Sequence, residues 1–188
     1  MLSRRSLLQG GIALAVGVAV TRRAGASVMR ALTLSELVNI SQHAFVGTPT
    51  DAFSQWDTIG KQRRIVTYTM VDVHSSIDGR PTPTASVMLR TLGGISGNIG
   101  QVVPGEAMLR TGETAAMFVT TLSQDLYGVT GMSQGHYPLT TDGSRRLHAI
   151  TNGLEMQAGP DAAVHRLDGR TVSEVESLVF QELTRGTH

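Results

Sequence analysis

Residues 64–74 read RIVTYTMVDVH, and the two-residue rhythm of that stretch decides the fold. Ile65, Thr67, Thr69, Val71 and Val73 fall on one face, and β-branched side chains suit a pleated, half-buried surface. Because strand side chains alternate between faces, Asp72 and His74 project together from the other side. A long strand at this place makes the chain mainly β.

Working upstream, AFVG at 44–47 predicts a short strand, ended by a turn at Thr48-Pro49-Thr50-Asp51. Before it, Thr33-Leu34-Ser35-Glu36 has the spacing of a capping box, with Leu34, Leu37, Val38 and Ser41 on one face of a helix over about 34–42. Downstream, 75–81 reads as a turn and ASVMLRTL at 85–92 as an alternating strand. LGGISGNIGQ at 92–101 is a glycine loop running into a short strand at 101–103, which Pro104-Gly105-Glu106 turns. TAAMFVTTL at 114–122 predicts a buried strand paired with 126–132, and shorter strands are expected at 136–139 and 147–150. Thr171 and Glu174 form a second capping box. Behind it Val172, Val175, Leu178, Val179 and Leu183 stripe a terminal helix that Gly186 stops. Short strands broken by Gly, Pro and Asp favour a small barrel of the OB-like type flanked by an N-terminal and a C-terminal helix, with a β-sandwich as the alternative. Residues 27–188 read as one β-rich domain.

Residues 1–26 belong to something else. Arg4 and Arg5 precede Gly10–Val20, an uncharged run of Gly, Ala, Val, Leu and Ile, and Arg22-Arg23 and Ala24-Gly25-Ala26 follow. Basic residues, a short apolar run and small residues make a signal-peptide pattern with cleavage after Ala26. The run is shorter than the roughly 20 residues a membrane span needs, so no permanent span is expected. Ser3-Arg4-Arg5-Ser6-Leu7-Leu8 resembles the twin-arginine signal, with Leu7 where Phe is commoner. That resemblance implies a bacterial protein that folds first and is then exported to the periplasm or beyond. Its implied partners are the twin-arginine machinery and a signal peptidase.

Without residues 1–26, which hold four arginines and no acid, 12 basic side chains face 15 acidic ones, a net charge of −3. Lys61 is the only lysine, so the basic footprint of a nucleic-acid binder is missing. There is no cysteine, although disulfides persist in the compartment expected. Thiolate metal sites, iron–sulfur clusters and covalent haem are thereby excluded, and no cofactor is expected.

AFVGT at 44–48, the 64–74 strand, TLGG at 91–94 and GETAAMFV at 112–119 together resemble small exported bacterial β-barrel proteins of unassigned function. More distantly their order is similar to the netrin-like modules, OB-type barrels that include the tissue inhibitors of metalloproteinases. The resemblance implies a barrel. Those inhibitors place an N-terminal cysteine on the catalytic metal, and this chain has none, which speaks against inhibition by that route.

Three motifs compete as sites. Gly131-Met132-Ser133-Gln134-Gly135 matches the G-x-S-x-G nucleophile elbow, with Asp142 and then His148 or His165 in triad order. An elbow needs a helix directly after the serine, and His136-Tyr137-Pro138 opens one poorly, so a turn is the better reading. Asp72 and His74, joined by His43 or His136, could hold a divalent metal through imidazole and carboxylate. No H-E-x-x-H or H-x-H spacing supports this, and solvated or structural histidines are favoured. Gly93, Gly94, Gly97 and Gly100 lack the order of a phosphate loop and read as a tight β connection. Trp56, Tyr68, Met70, Phe118 and Tyr127 read as core before cleft, and Arg63 and Arg64 as a solvated strand edge.

The function expected is therefore an exported, non-catalytic binding module that offers its glycine-rich loop and an open strand face to a protein, peptide or glycan. A metal-dependent hydrolase on Asp72, His74 and His136, a serine hydrolase on Ser133, and an accessory subunit of an exported enzyme are the alternatives.

Overall fold

A computed structural model describes residues 28–81, 85–153 and 155–185. The signal-peptide reading, with Arg4, Arg5 and the cleavage after Ala26, lies outside the described residues, as does the helix stop at Gly186.

The 64–74 rhythm sits within β3 (Gln62–Ser76), which runs antiparallel to β2 (His43–Ile59) and to β4 (Ser86–Leu92). The protein is mainly β, with helices α1 (Leu34–Ile40), α2 (Ala163–Leu167) and α3 (Val172–Arg185). β7 (Ala115–Ser123) pairs antiparallel with β8 (Leu126–Val129) and β9 (His136–Pro138), giving the order β2-β3-β4-β8-β7-β9. Two further pairings matter. β4 and β8 run parallel, Leu89 opposite Tyr127, and β2 also pairs with β7, from His43↔Val119 to Gly47↔Ala115. Apart from this sheet, β1 (Val28–Arg30) lies parallel to β10 (Glu155–Gln157), and β5 (Gly94–Ser96) forms a hairpin with β6 (Ile99–Gln101).

β2 corrects the expected turn at 48–51. The strand passes through Pro49 and shifts register between Pro49 and Asp51. The Pro49 carbonyl accepts from the Gly112 N–H at 2.8 Å, so the backbone of this residue faces away from β3. A missing N–H there costs the β2–β3 ladder nothing. The expected strand at 147–150 is also absent. Leu147 N–H donates to Arg170, His148 N–H to Pro138 and Ala149 N–H to the Asp168 carboxylate, so three neighbours divide what a ladder would need. Of 101–103 only Gln101 belongs to a strand.

Alternation along β7 builds two interiors. Ala116 and Phe118 join Ala44 and Val46 of β2, Tyr137 of β9, and Leu34, Leu37, Val175 and Val179 of the helices in an outer core. Ala115, Met117 and Val119 join Phe45, Val71, Val87, Leu89, Tyr127 and Val129 in an inner one. The helices are fixed where the sequence places them. Thr33 Oγ1 accepts from Glu36 N–H at 3.1 Å and Glu36 accepts from Thr33 N–H at 2.8 Å, and Thr171 and Glu174 repeat the exchange. Among the described residues no helix is long and apolar enough to cross a membrane.

Candidate functional site

The glycine-rich stretch is a lid. At its base Gly93 N–H donates to the Ile65 carbonyl at 2.8 Å, and the Gln101 side chain accepts from Ile65 N–H at 2.9 Å, so both ends of the β5–β6 hairpin are clamped to β3. Gly94 lies against the Ser54–Thr67 hydroxyl pair at φ +126°, where a Cβ would run into both side-chain oxygens. Only glycine can hold that position. The segment 102–110 crosses on the other side of the hairpin.

Between this lid, the 102–110 segment and the inward faces of β3 and β4 lies a cavity of about 430 Å³, within the range of small-molecule sites. Its walls include Leu92, Val103, Ala107 and Leu109, and its polar groups include Thr67, Thr69, Thr91 and Glu106. Ile95, Val102 and Met108 also line it and are 72%, 91% and 57% exposed. These large apolar side chains lie in solvent around the cavity.

Two polar residues of the lining are buried. Thr69 is 1% exposed, and its Oγ1 has no hydrogen-bond partner among the described residues. A buried hydroxyl left so costs about 1–3 kcal/mol. Glu106 is 9% exposed; its carboxylate accepts from Ala107 N–H at 3.2 Å and from the Leu92 backbone. Burial raises its carboxyl above the ordinary range, and the two backbone bonds only partly oppose this. No ion pair joins it to a basic side chain among the described residues, and the other charged residue lining the cavity, Arg110, is exposed.

The sequence-derived candidates lie elsewhere. Asp72 and His74 point outward and are exposed, His74 sharing a 2.8 Å hydrogen bond with Thr48 Oγ1. His43 stands beside Val119 and His136 beside Met117, on the inward side of β7. The alternation that pairs Asp72 with His74 thus separates both from His43 and His136. Among the described residues no three His, Cys, Asp or Glu side chains gather to hold a metal ion. His136 is 2% exposed with Nδ1 unpartnered among the described residues, and its pKa is lowered to about 4, by burial first and the Arg110 charge second. His43 Nδ1 is likewise unpartnered, and the ring meets Tyr127 edge-on at 5.9 Å.

Ser133 lies in a single 3-10 turn, Met132–Gly135, and is 1% exposed, with Oγ directed at the Thr151 carbonyl 3.5 Å away. Asp142 closes its own exposed turn through Thr140 and Ser144, and His148 sits 3.6 Å from Asp168. The glycines of this motif serve packing: a Cβ on Gly135 would come within 2.6 Å of the Thr130 carbonyl and 2.8 Å of that of Phe118. Phe118 and Tyr127 are core, whereas Trp56 is exposed under Arg63 and Tyr68 stacks on exposed Phe53.

Sequence reasoning named the glycines but missed Thr69, Thr91 and Glu106. A usable signal was present: three threonines on faces otherwise apolar, and isoleucines and valine within a loop. Compared with protein-family models, with curated proteins and with solved structures, the chain matches none.

Proposed function

We propose that the chain is an exported, non-catalytic binding module of the bacterial periplasm or exterior, built on an OB-like barrel, that takes an apolar portion of its ligand under the glycine hairpin. The barrel reading is supported by the pairing circuit, in which β2, β3, β4, β8 and β7 follow one another and β7 meets β2 again, with β4 and β8 parallel. Export is supported by the paired arginines and apolar run of residues 1–26.

One observation carries the binding reading: a cavity of about 430 Å³ with a hairpin roof, apolar walls and large apolar side chains exposed at its edge. Such a space offers desolvation to the apolar part of a ligand. Filling it is the test. Thr91→Phe, checked for an unchanged thermal transition, is expected to abolish binding of an apolar fluorescent probe by the parent chain. Undiminished probe binding by that variant rejects the cavity as the site. Fractionation of cells carrying Arg4→Lys with Arg5→Lys tests export, and unchanged delivery rejects the twin-arginine route.

A further inference from the structure

The cavity holds a buried carboxylate that no basic side chain among the described residues pairs with, and this asks for a particular ligand chemistry. Glu106 sits between the Leu92 and Ala107 backbones, both of them cavity walls. Those N–H groups satisfy part of one carboxylate's acceptor capacity, which is about four lone pairs. Thr69 also lines the cavity, and its buried Oγ1 has no hydrogen-bond partner among the described residues.

The two charged residues of the lining pull in opposite senses, and burial decides between them. Arg110 is exposed, so water and salt screen its attraction for an anion and its repulsion of a cation. Glu106 is shielded from solvent, where opposite charges attract several times more strongly than at the surface. A buried ion left alone is costly and is relieved by an ion that brings its own hydrogen-bond donors.

Building on the cavity reading above, we infer that the ligand is an apolar amine: a hydrocarbon or similarly apolar body carrying one protonated nitrogen, with the body against Leu92, Val103 and Leu109 and the ammonium on Glu106. An ammonium has three donors and no acceptor, which suits a buried carboxylate whose acceptor capacity two backbone N–H groups only partly fill. An anionic amphiphile would set its head against Glu106, and a neutral alcohol would leave the carboxylate without a counter-charge.

The test uses three probes of one chain length, n-octylammonium, n-octanol and n-octanoate, titrated calorimetrically into the full chain at pH 8. Octylammonium is expected to bind at least tenfold more tightly than either of the others. Glu106→Gln, which keeps an acceptor for the two backbone N–H groups, is expected to remove that preference and leave octanol binding in place. Glu106→Asp is expected to retain part of it. Octanol or octanoate binding as tightly as the amine, or a preference that survives Glu106→Gln, overturns the amine inference while leaving the cavity as a binding site. Failure of all three probes to bind the folded parent overturns both.

Discussion

The two faces of β7 divide the protein into a packed side and an unfinished one. Outward, Phe118 is fully buried and meets the Tyr137 ring edge-on at 6.2 Å, in a core that includes Leu34, Leu37, Val175 and Val179 of the helices. Inward, Met117 and Val119 belong to a core whose surroundings include a cavity, a buried acid and, among the described residues, three polar atoms without partners, on His43, Thr69 and His136. Interiors are close-packed and their polar groups are paired unless something else is served. The outer core is filled, and the inner one borders an unfilled space.

The hardest blow to this contrast falls on the outer face. Phe118→Ala is expected to cost about 3–5 kcal/mol of unfolding free energy, measured by denaturant titration. A loss near that of an exposed residue would break the division.

The next effect is on the inner side and depends on pH. His136 binds its proton less readily folded, at a pKa of about 4, than unfolded, near 6.5. Between those values the unfolded chain holds more protons, so stability is complete above about 6.5 and falls as pH drops toward 4, by about 3 kcal/mol at most. His136→Gln is expected to flatten that part of the stability profile, and an unchanged slope would place the pH sensitivity elsewhere.

Glu106 acts with the opposite sign. Its folded pKa is raised, so its contribution is full below the unfolded carboxyl value and is lost as pH rises through the folded one. Thermal transitions measured at mildly alkaline pH should therefore be higher for Glu106→Gln than for the parent. Thr69→Val, which removes an unpartnered hydroxyl, is expected to stabilise by about 1 kcal/mol, sharpening the view that the floor is kept polar at a cost. The smallest change lies outside both cores: Thr171→Ala should cost about 1 kcal/mol or less by uncapping α3, without altering probe binding.

Local chemistry made much of the fold legible. The odd-numbered face of residues 65–73 and the two Thr-x-x-Glu caps are written in consecutive residues, and β3, α1 and α3 follow from them. Features set by distant partners were hidden. β2 continues through Pro49 because Gly112 takes its carbonyl, and 147–150 fails as a strand because its N–H groups are claimed by Pro138, Asp168 and Arg170. The site was less legible than the fold, since Thr69, Thr91 and Glu106 converge only after three segments pack. Alternation placed Asp72 and His74 together on one face, but nothing in the spacing tells whether residues of other strands, such as His43 and His136, face the same side.

The β2–β7 ladder has a further consequence, for the route by which the chain reaches this state. The β2–β3 hairpin can zip from its own tight turn as soon as residues 43–76 exist, but Ala44 must wait for Phe118 before the same strand finds its second neighbour. Joining positions so far apart in the chain is entropically expensive and slows the search. During synthesis the inward side of that hairpin therefore stays open to water, and to other chains, until β7 has left the ribosome.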